Sequence, residues 1–209
     1  MTQQTPVVFV VDDDEAVRSG LRMLLASAGL DSRCYGNALE FLEAATPEQG
    51  GCLLLDVRMP GLSGLDLHER LIAKGVTLPV IILTGHGDVP MAVRAMKRGA
   101  FDFIQKPFND QFLLDRINAA LQRDSECRGQ QREAAALRDR LARLTTREHE
   151  VMRHLVRGEA NRVIAAELGI SERTIELHRA RCMEKLDCRS VAQLVHLVLR
   201  AESGTDAGQ

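Results

Sequence analysis

The sequence predicts two units of different class: an open, five-stranded parallel sheet covered by helices on both faces, and, after a helical linker, an all-α unit. Three observations carry this. Short aliphatic runs alternate strictly with amphipathic helical patterns through the first 120 or so residues, the mark of a parallel sheet with helical crossovers. The strand ends carry acids, a threonine and a lysine, and open α/β sheets place their chemistry at the carboxyl ends of strands. From Gln122 onward strand-like runs stop and only helical periodicity remains.

Taken in order, Val7-Val8-Phe9-Val10-Val11 reads as a buried strand and runs into Asp12-Asp13-Asp14, followed by a helix over 15–28. A strand over 31–35 and a helix over 37–45 come next. The apolar run Cys52-Leu53-Leu54-Leu55 is the third strand, ending at Asp56 before the turn Val57-Arg58-Met59-Pro60-Gly61. A helix over 64–74, a strand over 79–83 ending at Thr84, a helix over 89–98, a strand over 101–105 ending at Lys106-Pro107 and a helix over 110–123 complete the unit. Pro60-Gly61, Gly85, Gly87 and Gly99 punctuate the loops. Five such units match a flavodoxin-like doubly wound fold.

Composition narrows the class. The chain has 209 residues, 45% hydrophobic and 27% charged, ordinary for a globular protein of two small domains. No apolar run approaches a membrane span of roughly 20 residues. The start, Met1-Thr2-Gln3-Gln4-Thr5-Pro6, is polar and leads into a strand, so no signal peptide is expected. Cys34, Cys52, Cys127, Cys182 and Cys188 are scattered, odd in number, and none forms a C-x-x-C pair, which points to free thiols in a reducing cytoplasm and speaks against a disulfide framework or a zinc site. Through Leu121 there are 11 Lys+Arg against 15 Asp+Glu, and from Gln122 onward 16 against 14. That asymmetry is small, so nucleic-acid binding must rest on a local patch.

The strand-end residues suggest a chemistry. Clustered carboxylates repel one another unless a cation is bound, and an all-oxygen set suits Mg²⁺, with Mn²⁺ as a substitute. Asp56 can attack phosphorus as a carboxylate nucleophile, giving an acyl phosphate. The transferred group has three equatorial oxygens to satisfy. The metal can hold one, Lys106 another, and the Thr84 hydroxyl can donate to a third, with Gly85 leaving the approach open. Taken singly, Asp12-Asp13-Asp14 is an acidic helix N-terminus, Thr84 a turn residue and Lys106 a solvated lysine. The combination, on one edge of one sheet, is what points to a site.

These residues resemble the receiver domain of two-component response regulators over the first 120 or so positions. The matching pieces are Val11-Asp12-Asp13-Asp14, Leu55-Asp56-Val57-Arg58-Met59-Pro60-Gly61, Thr84-Gly85-His86-Gly87-Asp88 and Lys106-Pro107-Phe108. The resemblance implies that Asp56 is the phosphoacceptor and a sensor histidine kinase the donor. It implies Mg²⁺ on Asp13, Asp56 and the backbone carbonyl of Arg58, with Asp12 acting through water, and a cis bond between Lys106 and Pro107. It further implies a switch in which Thr84 moves to the phosphoryl group and Phe103 rotates inward. The resemblance places the dimer surface on the 89–98, 101–105 and 110–123 elements, where Met91, Val93, Met96 and Phe112 offer apolar contacts. Arg58 and His86 flank the site closely enough to influence acyl-phosphate hydrolysis, and a moderately long-lived phosphoryl group is expected.

In the linker, Ala134, Leu137, Leu141 and Leu144 fall at spacings of three and four with charges between them, an amphipathic helix with a narrow seam. It can pair with a second copy, pack on its own domains or stay solvated; two heptads do not decide. Then Thr145 or Thr146 caps a helix, with Glu148 completing a capping box on Thr145. Val151, Met152, Leu155 and Val156 form its apolar face. A helix over Asn161 to Leu168, the turn Gly169-Ile170-Ser171 and a longer helix from Glu172 to Leu186 give a helix-turn-helix. Ala165 and Ala166 allow close crossing, and Ile175, Cys182, Met183 and Leu186 can pack inward. The other face holds Arg173, Thr174, Glu176, Leu177, His178, Arg179, Arg181 and Lys185, suited to phosphates and base edges, or to no more than solvent around a four-helix interaction module. A last helix runs from Ser190 to Ala201, and 202–209 is read as a disordered tail.

Leu144-Thr145-Thr146-Arg147-Glu148, Asn161-Arg162-Val163-Ile164-Ala165 and Ser171-Glu172-Arg173-Thr174-Ile175-Glu176-Leu177-His178-Arg179 resemble the LuxR-type DNA-binding domain. With a receiver in front, the chain is similar to the FixJ/NarL group of response regulators, its FixJ-like branch. The resemblance implies transcriptional control, usually activation, through promoter double-stranded DNA and RNA polymerase, by a homodimer formed on phosphorylation. Base contact would come from Glu176 and Leu177, with Arg162, Ser171, Arg173 and Thr174 also on the DNA face and His178, Arg179, Arg181 and Lys185 on the backbone. Some relatives carry lysine where Glu176 stands; an acid there weakens phosphate attraction.

The expected division is a receiver over 1–122, a helical linker over 123–144, a helix-turn-helix domain over 145–201 and a tail over 202–209. No turnover enzyme is expected beyond self-catalysed phosphoryl acceptance and slow autodephosphorylation. An Asp-nucleophile phosphatase of the dehalogenase type needs a second acid two residues after the nucleophile, and Arg58 stands there. A signalling adaptor whose C-terminal helices bind protein is the other competitor.

Overall fold

The computed structural model describes residues 6–85 and 89–203, with side chains described through Leu199. The expectations placed on Met1–Thr5, on His86, Gly87 and Asp88 and on the tail from residue 204 fall outside the described residues. The chain divides into two compact units, 1–128 and 129–209.

In the first unit β1 (Val7–Val11), β2 (Asp31–Tyr35), β3 (Gly51–Asp56), β4 (Val80–Thr84) and β5 (Asp102–Gln105) form one parallel sheet in the order β2-β1-β3-β4-β5. The order reverses between β1 and β3, which opens the crevice beyond their carboxyl ends. Side chains alternate across the sheet. Phe9, Val11, Leu53, Leu55 and Ile82 meet α2 (Ala38–Ala44), α3 (Gly64–Ala73) and α4 (Val89–Lys97) through Phe41, Leu67, Leu71 and Ala95. Val8, Val10, Cys52, Leu54, Ile81 and Leu83 meet α1 (Glu15–Ser27) and α5 (Asp110–Ala142) through Leu21, Leu25, Leu113 and Ile117. The three central strands, covered on both faces, read as apolar runs, and β3 is buried along its whole length, whereas the edge strands β2 and β5 are partly exposed and carry polar residues.

The caps fix where these helices start. Asp14 accepts from the Ala16 N–H at 2.8 Å, Asn37 from the Glu40 N–H at 2.9 Å and Ser63 from the Asp66 N–H at 3.2 Å, each satisfying a donor left over in the first turn. Gly51, at φ 137°, opens β3; a Cβ there would stand 1.9 Å from the Val7 carbonyl oxygen.

One expectation changes. The helix over 110–123 and the linker as far as Ala142 are a single 33-residue helix, α5. The segment 122–142 has no proline and a single glycine, Gly129, and is otherwise rich in Ala, Arg, Gln, Glu and Leu, strong helix formers that carry the helix through it. Asp124 adds a reason the sequence did not show. It is buried on α5, accepts the Gly51 N–H at 2.9 Å and holds Arg128 Nε at 2.8 Å. Arg128 reaches on to the Glu48 and Gln49 carbonyls, clasping the helix to the amino end of β3.

In the second unit α6 (Thr146–Val156), α7 (Asn161–Leu168), α8 (Glu172–Lys185) and α9 (Val191–Ser203) surround a core of Val151, Met152, Leu155, Ile164, Ala165, Ile175, Cys182, Leu186, Leu194 and Val198. Thr145 caps α6 with the full capping box to Glu148, and Ser171 caps α8. Gly169, left-handed at φ 67°, makes the α7–α8 turn. Leu144 is buried in this core and Leu141 packs against it, so the carboxyl half of the linker seam is used inside its own unit. Ala166 is exposed and only Ala165 faces inward. Helix α9 runs to Ser203, two residues into the segment expected to be disordered.

Candidate functional site

The carboxyl edge of the sheet gathers the acids and the lysine. Strand β1 delivers Asp12 and β3 delivers Asp56, both buried, because each still lies in the covered sheet when its strand ends. Lys106, just past β5, donates from Nζ to Asp12 Oδ2 at 2.6 Å and to Asp56 Oδ1 at 2.8 Å. The remaining oxygens accept backbone donors: Asp12 Oδ1 from the Asp14 N–H at 2.9 Å, and Asp56 Oδ2 from the Arg58 N–H at 2.6 Å. The Lys106–Pro107 peptide bond is cis.

The three consecutive aspartates have separate fates. Asp12 turns inward, Asp13 is exposed, and Asp14 is spent as the cap of α1. Burial pushes the Asp56 carboxyl above the ordinary aspartate value; Lys106 opposes this, and Asp12 adds to it. Burial pulls Lys106 down, but its hydrogen bonds to Asp12 and Asp56 outweigh that and hold the ammonium above the ordinary lysine value.

Thr84 ends β4, fully buried, and its carbonyl accepts the Lys106 N–H at 2.8 Å. Gly85 follows, exposed. Phe103, in β5, is half-buried against the core that holds Leu55 and Ile82. Arg58 is exposed beside Asp56. Asp12, Asp56 and Lys106 are thus in direct contact.

Two supports were not read from the sequence. Arg18 on α1 donates to the Asp12 carbonyl at 2.6 Å. Gly64, the first residue of α3, lies so close to β3 that a Cβ would stand 2.1 Å from the Asp56 carbonyl oxygen. Its signal was present: a glycine directly after the capping Ser63, eight residues past Asp56.

The donor set fits a hard divalent cation. Asp12, Asp13 and Asp56 bring three carboxylates against one ammonium, and Asp13 has no partner among the described residues. Oxygen donors in negative excess suit Mg²⁺.

The second unit offers a different surface. Arg162 on α7 and Arg173, Glu176, Leu177 and Arg181 on α8 are exposed, Leu177 at 49%. Ser171 and Thr174 join hydroxyls at 2.8 Å at the start of α8. Arg179 is half-buried and reaches Asn161 Oδ1 at 3.4 Å; His178 is half-buried, its Nδ1 without a hydrogen-bond partner among the described residues. Lys185 differs from expectation: it donates to Glu148 Oε2 at 2.6 Å and to the Arg143 carbonyl at 3.1 Å, so its charge is turned toward its own domain. Basic and acidic residues are mixed on this face, as the near-neutral sequence implied.

On the 89–123 elements, Val93, Met96 and Phe112 are exposed at 45%, 48% and 50%, whereas Met91 packs into the core. Among the described residues no helix is long and apolar enough to cross a membrane.

Comparison with known proteins gives matching results. The family profile "Response regulator receiver domain" matches residues 8–118, and "Bacterial regulatory proteins, luxR family" matches residues 142–198. The chain is 46% identical to the transcriptional regulatory protein FixJ of Azorhizobium caulinodans over 96% of its own length and 95% of that protein's. It is 46% identical to nodulation protein W of Bradyrhizobium diazoefficiens, covering 91% of this chain and 84% of that one. Among solved structures, the response regulator StyR aligns with a TM-score of 0.90 at 49% identity, over 94% of this chain and all of that one.

Proposed function

Because the chain belongs to the response regulators that join a receiver domain to a LuxR-type DNA-binding domain, we propose that it is switched by phosphorylation of Asp56. It is a transcriptional regulator; the identity of the switch residues is our reading. The observation that carries it is the Asp12–Lys106–Asp56 contact, which places a buried carboxylate nucleophile beside a cation already in position to meet transferred oxygens.

The donor is the phosphohistidine of a sensor kinase. An Asp56 carboxylate oxygen forms a bond to phosphorus, the phosphorus–nitrogen bond breaks, and the departing imidazole nitrogen keeps the electron pair and takes a proton. Lys106 passes from its carboxylate partners to a phosphoryl oxygen, and the Thr84 hydroxyl donates to another. Arg58 and Asp13 stand at the exposed rim. Mg²⁺, held by Asp13, Asp56 and the Arg58 carbonyl with Asp12 through water, would supply charge neutralisation at the transferring oxygens; Mn²⁺ has the same preference for oxygen donors. Water returns the acyl phosphate to carboxylate slowly, so the chain acts as a timer and not as a turnover enzyme.

Movement of Thr84 draws Phe103 inward, and the exposed Val93, Met96 and Phe112 join the surface on which a second copy docks. Dimerisation brings two α8 helices to promoter half-sites one helical turn apart. Arg173, Thr174, Glu176 and Leu177, with Ser171 at the cap, face base edges; Arg162, His178, Arg179 and Arg181 meet phosphates, and recruitment of RNA polymerase follows. Acting on promoter DNA places the protein in the cytoplasm. We assign the receiver to 1–122, the linker to 123–144, most of it within α5, and the DNA-binding domain to 145–201.

The test is size-exclusion chromatography with light scattering, with Mg²⁺, before and after acetyl phosphate, on wild type and Asp56→Ala. A shift from monomer to dimer in wild type alone is the expected result. An equal shift in Asp56→Ala overturns Asp56 as the acceptor.

A further inference from the structure

A second cluster of ligating groups lies in the DNA-binding unit, on residues the switch does not use. Helix α6 ends at Val156 with Arg157 as its C-cap, and Gly158 takes a left-handed φ of 76°. The Gly158 N–H donates to the Leu155 carbonyl at 3.0 Å and the Glu159 N–H to the His154 carbonyl at 3.2 Å. This is the Schellman arrangement, which folds the second residue past the helix back against its last turn, ordinarily through an apolar contact. Here the contact is polar. His154, only 7% exposed, has Nδ1 2.6 Å from Glu159 Oε2. Glu167 arrives from α7 with Oε2 3.5 Å from the same nitrogen. The three ligand atoms lie within 4.8 Å of one another.

Two carboxylates converge on one imidazole nitrogen, which can donate one proton to one of them. A divalent cation in place of that proton serves all three groups, and a neutral imidazole with two carboxylates leaves the assembly uncharged. We infer that His154, Glu159 and Glu167 form a binding site for a Zn²⁺-class cation that staples the α6–α7 turn. A mixed nitrogen and oxygen set with one imidazole suits Zn²⁺ and not Mg²⁺. At zinc bond lengths of about 2.0–2.1 Å, tetrahedral ligand atoms stand about 3.3 Å apart. The Glu167 contact, at 3.5 Å, is close to that spacing, and the Glu159 contact reaches it by rotation of the carboxylate. Glu167 is 54% exposed, so the ion has an entry path and a position for water.

Arg157 is the competitor. Its Nε is 3.2 Å from Glu159 Oε1 and its Nη2 is 3.1 Å from His154 Nδ1. Its side chain is 59% exposed, so it can withdraw into solvent when the cation enters.

The full-length protein, in excess Mg²⁺ to occupy the strand-edge carboxylates, is titrated with Zn²⁺ and separately with Co²⁺ as a spectroscopic probe. The expected result is a single Zn²⁺ per chain, a rise in the Tm of the C-terminal unit, and a Co²⁺ spectrum of nitrogen and oxygen ligation without a thiolate band. Glu167→Gln, at an exposed position, weakens Zn²⁺ binding on the order of tenfold or more while leaving the circular dichroism and the zinc-free Tm unchanged. Arg157→Gln strengthens it. Absence of binding, equal affinity in wild type, Glu167→Gln and His154→Gln, or a thiolate band showing capture by the free cysteines would each overturn the site.

Discussion

Lys185, at the end of α8, closes on Glu148, in the first turn of α6, at 2.6 Å, and Glu148 also accepts the Thr145 N–H at 2.8 Å. One carboxylate therefore completes the cap of α6 and ties α8 to it. Glu148 is buried, while the Lys185 side chain is 34% exposed. Lys185→Met leaves the acid buried without its cation. Breaking a buried pair costs about 3–5 kcal/mol, and partial exposure of the ammonium puts this case near about 2 kcal/mol. Chemical denaturation of the C-terminal transition measures it. If Lys185 instead serves chiefly to meet phosphate, the variant loses DNA affinity with its stability intact.

The same pair sets a pH dependence. The Lys185 ammonium and the Thr145 N–H beside it hold the Glu148 carboxyl down at about 2, from an ordinary value of 4.5. A depressed carboxyl stabilises the fold fully above its unfolded pKa and stops doing so as pH falls through the folded one. The contribution is complete above about pH 4.5 and fades toward pH 2. Acid unfolding of wild type and Glu148→Gln should differ most above pH 4.5 and converge near pH 2; curves separated by a constant amount at every pH would show that the charge is not what stabilises this contact.

At the strand edge, Lys106 is the cation that separates two buried carboxylates. Lys106→Gln is expected to lower stability by about 3 kcal/mol in the absence of divalent cations. Added Mg²⁺ should then raise Tm more in the variant than in wild type, because the metal binds a site with one less positive charge. Calorimetry with and without Mg²⁺ tests this, and an equal metal response in both would place the cation elsewhere.

The central strands were legible because a strand covered on both faces must be apolar throughout, and their ends because polar or charged residues interrupt those runs. What composition could not show is direction. Asp12, Asp13 and Asp14 are identical in the sequence, yet one is buried, one exposed and one a helix cap, and only the sheet's coverage sorts them. Lys185 looked like its basic neighbours because its partner lies 37 residues away. Asp124 was hidden in the same way, 73 residues from the Gly51 N–H it accepts. Long-range polar pairing has no period, so it leaves no pattern to read.

Gly64 meets the Asp56 carbonyl too closely for any side chain. Gly64→Ala must push α3 away from the end of β3, and overpacking of this kind costs about 1–3 kcal/mol. Because the displaced carbonyl belongs to the proposed phosphoacceptor, acetyl-phosphate labelling of Asp56 should slow even where the protein remains folded. Labelling at the wild-type rate in a destabilised Gly64→Ala would mean that the contact serves packing alone.

The proposed relay from Thr84 to Phe103 separates phosphorylation from its consequence. Thr84 is buried, so Thr84→Val, which replaces the hydroxyl with a methyl group, tests what that hydroxyl does. Phe103 is half-buried and carries no hydroxyl, so its inward rotation abandons no hydrogen bond and needs only the space that Thr84 vacates. Thr84→Val should accept phosphate from acetyl phosphate to an extent near wild type, since Asp56 and Lys106 are untouched. The dimer measured by light scattering at full phosphorylation should fall severalfold. Dimerisation at the wild-type level would show that the hydroxyl does not transmit the signal from Asp56 to the Val93, Met96 and Phe112 surface.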